Sequence, residues 1–226
     1  MKKILFFVLY CGLCVAVFAQ VRETGTKPES ATPVSPAMDA LQTAYALAQY
    51  GYANSSASAL IGAAEILART QTQAMNKAGE GQTADTSNKP PKPEYTADNL
   101  LADGKKLAGR DAAMLAWAKK VEDALKITTK GAVGGPRYQI GRVAAFSTIT
   151  YRVDFRANEL AEILVVGDGD TDLDLYVYDI NGNLIAYDED YTDRCYVNFV
   201  PLRTLPFTIV VKNRGRVYNQ FSIATN

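Results

Sequence analysis

The sequence predicts an α+β protein with its two classes segregated along the chain as separate domains, a small helical bundle followed by a jelly-roll-like antiparallel β-sandwich. Three observations carry this prediction. Between residues 37 and 128 apolar residues recur at spacings of three and four, the period of a helix. From residue 137 to 226 they recur at every second position, the period of a strand. Between the two, Lys130 to Pro136 reads KGAVGGP, which continues neither pattern and marks a linker over residues 129–136.

The chain opens with MKKILFFVLYCGLCVAVFA, which has the parts of a secretory signal over residues 1–19. Lys2 and Lys3 form the basic start, Ile4 to Val15 the apolar run, and Val17-Phe18-Ala19 the cleavage site. The run is shorter than the ~20 residues a spanning helix needs, so cleavage leaves no transmembrane segment and a periplasmic or secreted protein is expected. A lipoprotein signal is disfavoured, because Tyr10 and Leu13 rather than small residues precede Cys11 and Cys14. Residues 20–36 hold three prolines and few large apolar groups, the composition of a flexible tether.

Charge and residue types exclude several functions. Lys plus Arg and Asp plus Glu number 24 each, so no net field argues for nucleic acid or an anionic membrane. The absence of histidine removes Ser-His-Asp and Cys-His nucleophile systems and every His-containing zinc site. After signal cleavage Cys195 is the one remaining cysteine, so no internal disulfide framework exists. It alternates with Val197 and Phe199, the position of a thiol packed in a strand.

In the helical half, Met38, Leu41, Tyr45 and Ala48 share one face, with Gly51 as the expected stop. Ala57, Leu60, Ile61, Ala64, Leu67 and Ala68 share a second face, and Asn54 to Ser56 offer cap oxygens before it. This hairpin is similar to one tetratricopeptide unit, but no 34-residue repeat follows it. Residues 76–93 lack periodicity and read as a mobile loop. Two further helices follow, one from Thr96 and one capped by Asp111, with Met114, Trp117, Val121, Ala124 and Leu125 as a buried stripe.

About eight short strands are expected between Tyr138 and Ala224, separated by Gly167, Asn181-Gly182 and Asn213-Arg214-Gly215. Within them GDGDTDLDLYVYDINGNLIAYDEDYTD, followed by FTIVVKNRGRVYNQFSI, resembles the bacterial pre-peptidase C-terminal domain. The resemblance covers about the last ninety residues. It implies an extracytoplasmic accessory or binding module on a β-sandwich, with metal or matrix binding in some members. No protease precedes it: the helical half has neither Gly-x-Ser-x-Gly nor His-Glu-x-x-His.

The densest chemistry lies in Asp168 to Asp179, DGDTDLDLYVYD. The following Asn181-Gly182 is a hairpin signal, since it accepts positive φ cheaply. With those two residues alone as the loop, Asp174 faces Glu189. With Ile180 in the loop and Gly182 left-handed, Asp174 faces Asp188 and Asp172 faces Asp190. The second register is favoured, because it puts Ile185 and Tyr187 on the core face with Leu173, Leu175 and Val177. Either register opposes like charges, which destabilises a strand pair unless something neutralises them.

A calcium ion would do so, and Asp168, Asp170, Asp172, Asp174, Asp188 and Asp190 supply enough oxygens for one. An EF-hand is excluded, because Leu173 stands where that loop needs glycine. The other reading leaves the carboxylates in water, capping the 167–170 and 188–193 turns, with Arg194 neutralising one of them. Glycoside hydrolysis needs two carboxylates in distinct environments, and no such pair stands out. Tyr176, Tyr178, Tyr187 and Tyr191 could stack a sugar, although cross-strand packing accounts for them equally well.

The expectation is an exported, non-catalytic binding or accessory protein whose partner is an extracytoplasmic protein or a component of the cell envelope or matrix. The alternatives are an accessory or inhibitory subunit of a secreted hydrolase and, third, a carboxylate-based glycan hydrolase.

Overall fold

A computed structural model describes residues 34–83, 89–128 and 134–226. The secretory signal and nearly all of the tether lie outside the described residues. The helical period yields four helices: α1 (Pro36–Asn54), α2 (Ala57–Arg69), α3 (Ala97–Ala108) and α4 (Ala112–Thr128). Their starts follow the expected cap chemistry. The Ser56 hydroxyl accepts from the Ala59 amide at 3.3 Å and Thr96 from that of Asn99 at 3.2 Å. Asp111 accepts from Ala113 and Met114 at 2.9 and 3.0 Å. Trp117 lies half-buried in the bundle, and its indole N–H donates to Glu65 at 2.8 Å.

Gly51 does not stop α1, which continues to Asn54 and ends at Ser55 in the left-handed conformation (φ 49°). Gly51 is buried where α1 meets α2. A Cβ there would lie 2.5 Å from Leu60 Cδ2, so the glycine sets how closely the two helices approach. Gly104 does the same for α3, where a Cβ would meet Ile61 Cγ1 at 2.8 Å.

The strand period yields eight strands: β3 (Arg137–Val143), β4 (Thr148–Phe155), β5 (Ala161–Val166), β6 (Leu173–Tyr178), β7 (Leu184–Asp188), β8 (Arg194–Phe199), β9 (Leu205–Asn213) and β10 (Asn219–Thr225). Two more come from the region expected as a loop and its approach, β1 (Gln73–Ala74) and β2 (Glu80–Gly81). Elements of two residues carry no period to read. One sheet runs β1-β3-β10-β5-β8 and the other β2-β4-β9-β6-β7, antiparallel except for the β1–β3 pair. The alternating residues Tyr151, Val153 and Phe155, Leu173, Leu175 and Val177, and Phe207, Ile209 and Val211 meet between the sheets with Cys195, Phe221 and Ile223.

The first sheet is covered on its other face too. Leu164, Val166 and Ala224 join the helix residues Met38, Leu41, Tyr45, Leu60 and Leu100 in a second core, so β5 is buried on both faces. Helices and strands are segregated in sequence, and in space they stack as three layers around two hydrophobic cores, one between the sheets and one between the first sheet and the helices.

Polar bonds fix the docking. Glu162, fully buried, accepts from the Ser35 amide at the start of α1 (2.9 Å) and from the Tyr196 hydroxyl (2.7 Å). A carboxylate at a helix N-terminus is the favourable sign for the helix dipole. Gln49 of α1 donates to the Gly167 carbonyl at 3.3 Å and accepts from Arg194 at 2.8 Å. Among the described residues no helix is long and apolar enough to cross a membrane.

Candidate functional site

The carboxylates collect at one end of the sandwich, where the turns after β5, β7 and β9 converge. The Gly167 amide donates to the Asp193 carbonyl (2.8 Å), Leu173 to Thr192 (3.0 Å) and Arg214 to Asp172 (3.0 Å). Asp168 is buried. Its Oδ2 accepts from the Lys89 ammonium and from the Gln220 amide at 3.1 Å. Lys89 also pairs with Asp170 at 2.9 Å, donates to the Tyr218 carbonyl at 2.8 Å and sits 4.1 Å from the centre of the Tyr218 ring. Lys92 bonds Asp170 and donates to the Asp168 carbonyl at 2.8 Å. Burial alone would lower the Lys89 pKa, yet its bonds to Asp168 and Asp170 hold it above the ordinary value. Burial would likewise raise Asp170, and Lys92 and Lys89 bring it below the usual carboxylate range.

A second group surrounds Asp174, which is buried and bonded by the Arg214 guanidinium. The Tyr176 hydroxyl lies between Asp174 Oδ2 (3.0 Å) and Glu189. Burial, then the two carboxylates that hold its proton, push the Tyr176 phenol upward. Asp172 has a buried Oδ1 without a hydrogen-bond partner among the described residues, and burial together with Asp174 raises its pKa.

The hairpin turn forms as expected, with Gly182 left-handed (φ 79°) and Tyr178 opposite Leu184. The favoured register does not continue. An irregularity between Val177 and Tyr178 shifts the pairing, so that Val177 faces Ala186, Tyr176 faces Tyr187, and Leu175 faces Asp188. Asp174 thus does not oppose Asp188, and Asp172 does not oppose Asp190. The shift sends Ala186 rather than Tyr187 into the core. Asp188 instead accepts from the Tyr196 amide at 3.0 Å, and Asp190 caps its own turn by accepting from Thr192.

Asp168 and Asp170 are therefore brought together, Asp172 and Asp174 lie beside them, and Asp188 and Asp190 serve the neighbouring turn. Among the described residues no three acidic, histidine or cysteine side chains are placed to hold one metal ion. Asp168, Asp170 and Asp174 are bonded by the protein's own cations, Lys89, Lys92 and Arg214. Arg194 is not one of those cations, since it turns toward Gln49 of α1. Lys89, Lys92 and Arg214 were missed by sequence reasoning. The two lysines lie in NKPPKP, a stretch with no period, and nothing local links that stretch to Asp168 about 80 residues away. Cys195 is fully buried and its thiol donates to the Leu173 carbonyl at 3.1 Å, as its place in the strand pattern predicts.

The second sheet turns a face outward. The Tyr176 and Tyr178 rings stack there at 6.4 Å with 23° between planes, and Tyr187 stands opposite Tyr176. All three are half-buried, flanked by Thr208 and Val210 of β9. Tyr191, 96% exposed on the 188–193 turn, is apart from them.

No family model matches the chain, and no curated protein matches its sequence. Solved structures similar in part include the pre-peptidase C-terminal domain of collagenase from Bacillus anthracis, at 11% identity and a TM-score of 0.33, covering 42% of this chain and 91% of that one. PliG of Aeromonas hydrophila, a periplasmic inhibitor of g-type lysozyme, is similar at 16% identity and a TM-score of 0.31, with 40% and 84% coverage. A carbohydrate-binding module of Cellvibrio mixtus lichenase 5A, seen with cellotriose, is similar at 13% identity and a TM-score of 0.25, with 39% and 86% coverage. These likenesses are of low extent.

Proposed function

We propose that this is an exported protein that acts by binding, without bond-making chemistry of its own, and that it meets an extracytoplasmic protein or a component of the cell envelope through the outer face of its second sheet. The observation that carries this is the asymmetry of the sandwich. One outer face is consumed by the helices, whereas the other presents Tyr176, Tyr178 and Tyr187 side by side. Rigid aromatic side chains with polar tips give contact area at low entropic cost. The Tyr176 hydroxyl is bonded to Asp174 and Glu189, and Arg214 to Asp174, which fixes the ring and ties these carboxylates to partners rather than to each other as an acid and base pair. Export rests on the signal-like first nineteen residues.

The test is capture from the native envelope fraction by the immobilised mature chain, alongside a Tyr176→Ala, Tyr187→Ala double variant checked for folding by circular dichroism. The wild type is expected to retain a defined component that the folded variant loses. Equal retention by both would remove the tyrosine face from the account, and hydrolysis of glycan substrates by the wild type would overturn the non-catalytic reading.

A further inference from the structure

We propose that the opposite end of the sandwich, remote from the aspartates, is a binding site for an oxyanion, the carboxylate or phosphate group of a small ligand. β3 begins there at Arg137 and β4 ends there at Phe155, beside the chain that joins β1 to β2. A cavity of about 250 Å³ is lined by Lys77, Arg137, Arg152 and Asp154, with an apolar wall of Met75, Val153 and Pro206. A second cavity of about 330 Å³ shares Arg137 and Asp154 with it.

The charge arithmetic of the first cavity is lopsided, with three cations and one carboxylate. Among the described residues the side chains of Lys77, Arg137 and Arg152 make no hydrogen bond or ion pair, and Arg137 is half-buried. Unpaired like charges around one hollow repel, and an anion removes the repulsion where a neutral ligand does not. Guanidinium groups hold carboxylate and phosphate through two parallel N–H bonds and shed water more readily than an ammonium does.

The second cavity is balanced, with Arg156 and Glu159 paired at 3.8 Å, and suits the uncharged remainder of a ligand. Its rim is fixed backbone. Gly135 lies at φ 91°, and a Cβ on it would stand 1.9 Å from the Gln71 carbonyl oxygen. Cavities of this size are at the small end of ligand sites, which restricts the occupant to a small molecule or a single residue of a larger one.

Calorimetric titration of the mature protein with inorganic phosphate and with citrate, each against sodium chloride at matched ionic strength, tests the site. At least one probe is expected to bind with a millimolar or tighter Kd. The preferred probe identifies the source, phosphate for a phosphoryl group and citrate for a carboxylate. An Arg137→Gln, Arg152→Gln double variant should bind at least tenfold more weakly, and Arg203→Gln, an exposed arginine outside the cavity, within twofold of wild type. Should the double variant fail to fold, exposed Lys77→Gln takes its place, with a loss of at least threefold. Absence of binding above the chloride control, or equal binding by the folded variants, overturns the proposal.

Discussion

The two ends of the sandwich resolve the same electrostatic problem in opposite ways. At one, Asp168, Asp170 and Asp174 meet Lys89, Lys92 and Arg214, and the charges close on themselves. At the other, Lys77, Arg137 and Arg152 surround a hollow with one carboxylate among them. A charge cluster with its counter-ions built in is part of the fold, and breaking it is costly. A cluster without them contributes little to stability and is free to act on something else. The density of acidic residues in the sequence draws attention to the first end, while the capacity for an external ligand lies at the second.

The largest expected effect is at the closed end. Lys89→Met leaves Asp168 buried without its cation, and one-sided loss of a buried pair costs about 3–5 kcal/mol. For a chain of this size that is a melting temperature lower by roughly 10 °C, readable by calorimetry. The same experiment separates two accounts of these aspartates. With calcium as the counter-ion, the wild type melts higher in calcium than in chelator. With Lys89, Lys92 and Arg214 in that role the two melts coincide, which is the outcome expected here. A calcium-dependent rise of several degrees would support the metal reading of Asp168, Asp170, Asp172, Asp174, Asp188 and Asp190.

A smaller and opposite effect is expected at Asp172, the member of the closed end whose partner is missing. Burial and Asp174 hold its carboxyl above the ordinary range. A carboxyl whose folded pKa is raised costs stability while it is ionised, and that cost disappears as pH falls through the folded value toward the unfolded ~3.9. Asp172→Asn is therefore expected to raise the melting temperature by about 1–3 °C at pH 7, with the gain fading as the pH approaches 4. Asp170 carries the reverse sign, because its depressed pKa supplies stability above ~4 that is lost on acidification. A gain in Asp172→Asn that is unchanged between pH 7 and 4 would show that charge is not its cause.

The smallest effect belongs to the open end. Arg137→Gln is expected to shift stability by less than ~0.5 kcal/mol in either direction, since no side-chain bond among the described residues depends on it. A loss near that of Lys89→Met would mean that the arginine is structural and would erase the contrast between the ends.

The sequence by itself determined the period of each half, and with it the four helices, the eight long strands and the residues that fill the space between the sheets. It also placed Cys195 in a strand and Gly182 in a left-handed turn. These are local matters: a period of 3.6 or 2, a cap oxygen and a glycine with free φ act within a few residues. Only the tertiary structure decided what opposes what. The irregularity at Val177 and Tyr178 undid the expected facing of Asp172 and Asp174 with Asp190 and Asp188, and places Ala186 in the core. Gly51, a stop signal by local rules, became a helix contact because Leu60 lies against it. Lys89 and Lys92 reached the aspartates from a stretch without pattern, and Arg137 met Arg152 and Lys77 across two sheets. Electrostatic partnership depends on distance in space, and a one-dimensional pattern records distance only along the chain.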